Sequence, residues 1–134
     1  MLNHRDEKFR NWFVNRIEEL ADKPKGRLLA SFDALDEWFQ DDDFLNCMFI
    51  RASCEYLDRE HPIHMASERH KRLLLTYVIG LAEQAGAAEP GKLARQLMLL
   101  KEGAIVTAHI HGADRVVVNA KTVAKILIDH YLKV

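Results

Sequence analysis

Apolar residues recur at helical spacing along nearly all of this 134-residue chain, and no convincing period-2 alternation of a half-buried strand competes with them. A chain patterned this way is predicted to be all-α. The first stripe is Phe9, Phe13, Ile17 and Leu20, with Trp12 beside it, in a helix predicted over about 3–21 whose other positions are mostly charged. A second helix, about 25–39, aligns Leu28, Phe32, Leu35 and Phe39, with Leu29 and Trp38 alongside. A short third, about 46–58, puts Cys47, Ile50, Cys54 and Leu57 on one face. The fourth, about 62–85, carries Leu74, Val78, Leu81 and Ala85 in register, and a fifth and sixth run to about His111 and over about 114–132.

Punctuation supports this division. Pro24, Pro62 and Pro90 each fall where a helix is expected to begin, a position whose backbone N–H has no helical partner to lose. Asp22 and Asn46 are expected N-caps, and Gly86 is expected to close the fourth helix in the left-handed conformation. Gly112-Ala113-Asp114 separates the last two helices. Val116-Val117-Val118 favours a strand locally, but Ala120, Ala124, Leu127, Ile128 and Tyr131 continue at helical spacing and override it.

The last two helices carry more apolar surface than the rest. In the fifth, Leu93, Leu97, Met98, Leu99, Leu100, Ile105, Val106 and Ile110 spread around much of the circumference, with a line of small residues at Ala104, Ala108 and Gly112. The sixth combines Val116, Val117, Ala120, Ala124 and Leu127 with Val118, Val123 and Ile126. A helix apolar on most sides must be covered on most sides. The expectation is a homodimer in which these two helices meet their counterparts across a two-fold axis in a four-helix interface. Leu97, Ala104, Ala108, Val116, Val117, Ala120, Ala124 and Leu127 are the predicted dimerisation residues.

Composition narrows the function. Nineteen Lys and Arg against twenty Asp and Glu leave a net charge of −1, without the basic excess or stripe of a chain that holds nucleic acid by itself. The uncharged stretch 73–82 is about half the ~20 residues of a membrane span, and the first residues have no signal-peptide core, so a soluble, cytoplasmic protein is expected. Cys47 and Cys54 lie about 10 Å apart on one predicted helix, beyond disulfide reach, and read as small interior residues. His61, His64 and Glu68 suggest a metal site, but His61 precedes Pro62 and falls outside the helix; His109 and His111 point about 200° apart. No nucleophile with its base, phosphate-cradling glycine loop or paired-carboxylate site appears, so neither an enzyme nor a cofactor is expected. Phe13, Phe32, Trp38, Cys54, Tyr77, Met98 and His109 are of the kind that lines a small-molecule cavity between helices, where they are not simply core.

Several stretches, in order, resemble the C-terminal domain of TetR/AcrR-type transcriptional regulators. They are Arg27-Leu28-Leu29-Ala30-Ser31-Phe32-Asp33-Ala34-Leu35-Asp36-Glu37-Trp38-Phe39, then Asn46-Cys47-Met48-Phe49-Ile50-Arg51-Ala52-Ser53-Cys54-Glu55-Tyr56, His61-Pro62 and His70-Lys71. The run from Ala85 to Ala94 and that from Leu99 to Val106 complete the series; Asn46 stands where the family pattern has glycine. The resemblance implies one effector-binding and dimerisation domain over 1–134: 3–21 as the end of a connecting helix, 25–111 as cavity helices and 89–132 as dimerisation helices. It further implies a small apolar or aromatic effector, and operator DNA read only through an N-terminal helix-turn-helix that this chain is expected to lack. Effector binding in such regulators tilts the connecting helix and respaces the two DNA-reading heads, a population shift that requires the ligand to prefer one spacing. Two other readings remain open at this level: a headless partner forming mixed dimers with a complete regulator, and a helical metal-binding protein.

Overall fold

The computed structural model describes residues 2–41, 44 and 62–132, with side chains over 7–41, 44, 65 and 68–132. Among the described residues there are five α-helices and no strand: α1 (Leu2–Leu20), α2 (Pro24–Phe39), α3 (Pro62–Gln84), α4 (Pro90–His111) and α5 (Val116–Tyr131). The all-α expectation holds, with boundaries within two residues of those read from periodicity. The helix expected over 46–58 lies outside the described residues. The valine run is helical from its first residue, so the apolar spacing that follows it outweighs local β preference.

Helix ends show which local signals act. The prolines at 24 and 90 occupy first-turn positions as expected. Asp22 does not cap α2: the cap position is Lys23, extended and without a side-chain hydrogen bond, because the aspartate falls one residue too early. Gly86 adopts φ +83°, and Ala87 N–H donates to the Ala82 carbonyl at 3.0 Å, a left-handed closure of α3. Gly112 closes α4 at φ +94°. Arg115, at φ +61°, precedes α5 in the left-handed region that costs a side chain about 1–2 kcal/mol. The end of α1 is held by the Arg27 guanidinium, whose Nε donates to the Ala21 carbonyl at 2.9 Å.

Helix α2 lies centrally, packed on α1, α3 and α5, while α4 lies between α3 and α5. The core joins Ile17 of α1, Leu28 and Phe32 of α2, Val78 of α3, Leu93 and Leu97 of α4 and Ile128 of α5, all essentially inaccessible. Leu20, expected on the buried stripe of α1, sits at its exposed rim. Ion pairs set register on the outside. Lys121 bridges both oxygens of Asp33 at 3.0 Å, Arg16 holds Glu37 at 2.8 Å, and Lys71 of α3 reaches Glu102 of α4 at 3.3 Å. Each is worth at most about 1 kcal/mol in solvent. Glu68 pairs with Arg72 one turn on; Lys71 is engaged with Glu102.

Residues predicted for dimerisation are placed otherwise than periodicity implied. Leu97, Ala104, Ala108, Val117, Ala120 and Ala124 are buried within the single chain, and Val116 and Leu127 are half-buried against its core. The apolar residues left in solvent on these helices are Leu99, Val106 and Ile110 of α4 and Val118, Val123 and Ile126 of α5. Periodicity does not say which apolar stripe of a helix its own neighbours cover.

Candidate functional site

Aromatic side chains from α1 and α2 form a continuous cluster. Phe9 stacks on Phe13 at 5.6 Å between centroids and meets Trp38 at 4.9 Å; Trp38 meets Phe44 edge-on at 4.8 Å, and Phe44 meets His109 of α4 at 6.1 Å. These geometries are favourable offset and edge-to-face arrangements. Phe9 also packs against the ring of His70 on α3 at 5.7 Å, so the cluster touches four elements.

Polar groups inside this apolar setting are few and poorly compensated. Among the described residues, three buried side-chain atoms find no hydrogen-bond partner: Tyr77 Oη, Lys101 Nζ and His109 Nδ1. Lys101, in the middle of α4, is 4% exposed, and its ammonium lies 5.0 Å from the centroid of the Phe32 ring. Burial alone lowers its pKa to about 7. Burial, helped by the Glu18 carboxylate, pushes the Tyr77 hydroxyl up. His70 is 5% exposed; its Nδ1 accepts from the Arg10 guanidinium at 3.0 Å, and burial, followed by the charges of Arg10 and Lys71, lowers it to about 4. The Lys71–Glu102 pair sets His70 and Lys101, their immediate neighbours, at one level of the α3–α4 contact. An arrangement of aromatic walls with a few unspent polar tips suits a small ligand.

His70 makes stability pH-dependent. Its folded pKa, about 4, lies below the 6.5 of an unfolded histidine, so between these values the unfolded chain holds a proton that the folded chain refuses. This contribution to stability is intact above about pH 6.5 and falls by about 3 kcal/mol as pH drops to 4. Urea midpoints at pH 7 and pH 4 should diverge less in His70→Gln than in the parent chain; equal divergence would remove His70 from the account.

Of the sequence-predicted cavity residues, Phe13, Trp38 and His109 join the aromatic cluster, Phe32 lies against Lys101, and Tyr77 contributes a buried hydroxyl. Met98 packs half-buried against the core, and Cys54 lies outside the described residues. Phe9, Phe44, Arg10, His70 and Lys101 were missed. A signal for Lys101 was present: it interrupts the inward stripe Leu93, Leu97, Ala104, Ala108 with the only charge on that face. Among the described residues no group of three metal-ligating side chains converges; His61 and the side chain of His64 lie outside them. No described helix is long and apolar enough to cross a membrane.

A concavity of about 710 Å³ lies between α2, the 112–115 turn and α5, lined by Asp33, Asp36, Asp114, Arg115, Lys121 and Lys125 among others. Its central pair, Lys121 and Asp33, neutralise each other.

No protein-family model matches the chain. Over 79 residues, 59% of its length, it is 30% identical to the HTH-type transcriptional regulator YjdC of Escherichia coli (strain K12), and equally to YjdC of Shigella flexneri. The matched stretch spans 41% of the length of these curated relatives. Its structure is similar to that of a TetR-family transcriptional regulator from Streptomyces coelicolor, with a TM-score of 0.87 at 21% identity, over 98% of this chain and 69% of that one. The chain therefore has the fold of a TetR-family regulator, in accord with the resemblance carried by its motifs. The relatives found by sequence and by structure are regulators of transcription, not enzymes.

Proposed function

We propose that this chain is the effector-binding and dimerising part of a TetR-like transcriptional regulator. A small molecule with an apolar body is held among α1 to α4, a second copy covers α4 and α5, and operator DNA is contacted through a helix-turn-helix outside these residues. One observation carries the reading: the outer faces of α4 and α5 keep six large apolar side chains in solvent after the chain has buried its own core. Contiguous apolar patches beyond a few hundred Å² are rare on monomers and mark interaction surfaces. On α4 the stripe is Leu99, Gly103, Val106 and Ile110, and a Cβ added at Gly103 would meet nothing in the same chain, which leaves room for a partner helix to approach closely. The fold likeness and the aromatic cluster beside unpaired polar atoms support this reading.

Sedimentation equilibrium of the purified chain should give twice its sequence mass at micromolar concentration, and promoter DNA should not shift with it. A folded monomer at that concentration would remove the basis of the reading, as would tight, salt-sensitive DNA binding by these residues alone.

A further inference from the structure

Lys101 occupies a position that a lysine rarely keeps without a counter-charge. Its ammonium is fully enclosed and has no hydrogen-bond partner. Its one described polar compensation is the Phe32 ring face at 5.0 Å. Glu102, the carboxylate next to it in sequence, is engaged with Lys71. The half-buried Arg10 is turned to the His70 ring. Among the described residues the Lys101 ammonium therefore has no matched anion.

Eight residues along α4 from Lys101, about 12 Å by helical rise, His109 presents another unpaired polar atom, Nδ1, and meets Phe44 at 6.1 Å. Phe44 is continuous with Trp38. An unpaired cationic end, an aromatic wall and a weaker polar end describe an elongated amphiphile with an acid at one terminus.

We propose that the effector is an organic acid whose carboxylate pairs with the Lys101 ammonium while its apolar body lies along Phe32, Trp38 and Phe44. This assignment rests on the effector-sensing reading above and adds the chemical class of the ligand. A carboxylate brings two acceptor oxygens to an ammonium with three unused donors, and charge-assisted hydrogen bonds of this kind are the strong ones. A neutral ligand of the same shape would leave the buried ammonium uncompensated.

Isothermal titration of the full chain with decanoate, methyl decanoate and decylammonium tests the assignment. Decanoate should bind about 10–100-fold more tightly than its methyl ester, and decylammonium should not bind. Lys101→Met should bring decanoate down to the affinity of the ester, and Lys101→Arg, which keeps the charge, should retain a preference for the acid. Equal binding of acid and ester, or undiminished decanoate binding by a folded Lys101→Met, overturns the acid assignment and leaves the sensor reading standing. Capture of decanal at Lys101 by borohydride, with no decanoate binding, also overturns it, in favour of carbonyl chemistry. A dimer that binds none of these probes overturns the acid assignment and the sensor reading together.

Discussion

Lys101→Met should make the ligand-free protein more stable at pH 7, by about 1–4 kcal/mol, although it deletes a charge from the middle of the molecule. An unfolded lysine titrates near 10.5 and Lys101 in the folded chain near 7. Above pH 10.5 the amine is neutral in both states. Between about 7 and 10.5 the unfolded chain retains the proton and the folded chain has shed it, so stability rises with pH. Below about 7 both states hold the proton and the full cost of burying the cation is present. Across that window the cost amounts to about 4 kcal/mol, more than the ~2 kcal/mol that the Phe32 ring can return to an ammonium. Methionine fills similar space with an unbranched, uncharged chain. Thermal melts should show the variant melting about 5–10 °C above the parent at pH 7, with the gap closing by pH 10.5. A variant less stable than the parent at pH 7 would show that the ammonium is compensated in the folded state. Such a lysine is expected where binding, rather than folding, is what selection has kept.

The second large effect concerns association. Ile110 and Ile126 are each 65% exposed and Leu99 72%, so replacing them leaves the chain's own core intact. In a two-fold dimer every substitution acts twice. Ile110→Glu with Ile126→Glu removes four apolar side chains from the proposed interface and sets four carboxylates there, at about 1.5–3 kcal/mol per side chain lost from burial alone. The dissociation constant should rise by far more than about 100-fold, and at micromolar concentration the variant should sediment as a monomer with unchanged helical circular dichroism. The contrasting variant Ala104→Ser, on the inward face, should unsettle folding rather than association, because it adds a hydroxyl to a buried site. A dimer that survives the double glutamate variant would move the interface elsewhere.

The all-helical class, the placement of four described helix starts and the glycine closures were legible in the sequence, because periodicity and proline chemistry are local. Three of the seven cavity candidates, Phe13, Trp38 and His109, lie in the aromatic cluster, since bulky aromatics on inward stripes have few other places to go. Which apolar stripe of α4 and α5 faces inward was not legible: Leu97 and Leu99 are alike in chemistry, and only packing against α3 and α5 buries the first and leaves the second in water.

The same holds for the polar interior. The altered acidity of His70 and Lys101 comes from burial that several helices impose together, helped at His70 by the charge of Arg10, far away in sequence. Secondary structure was determined by the chain itself because helical hydrogen bonds join residues four apart. The faces, the buried charges and the partner surface were decided by tertiary structure, because burial belongs to the assembled helices and not to any one of them.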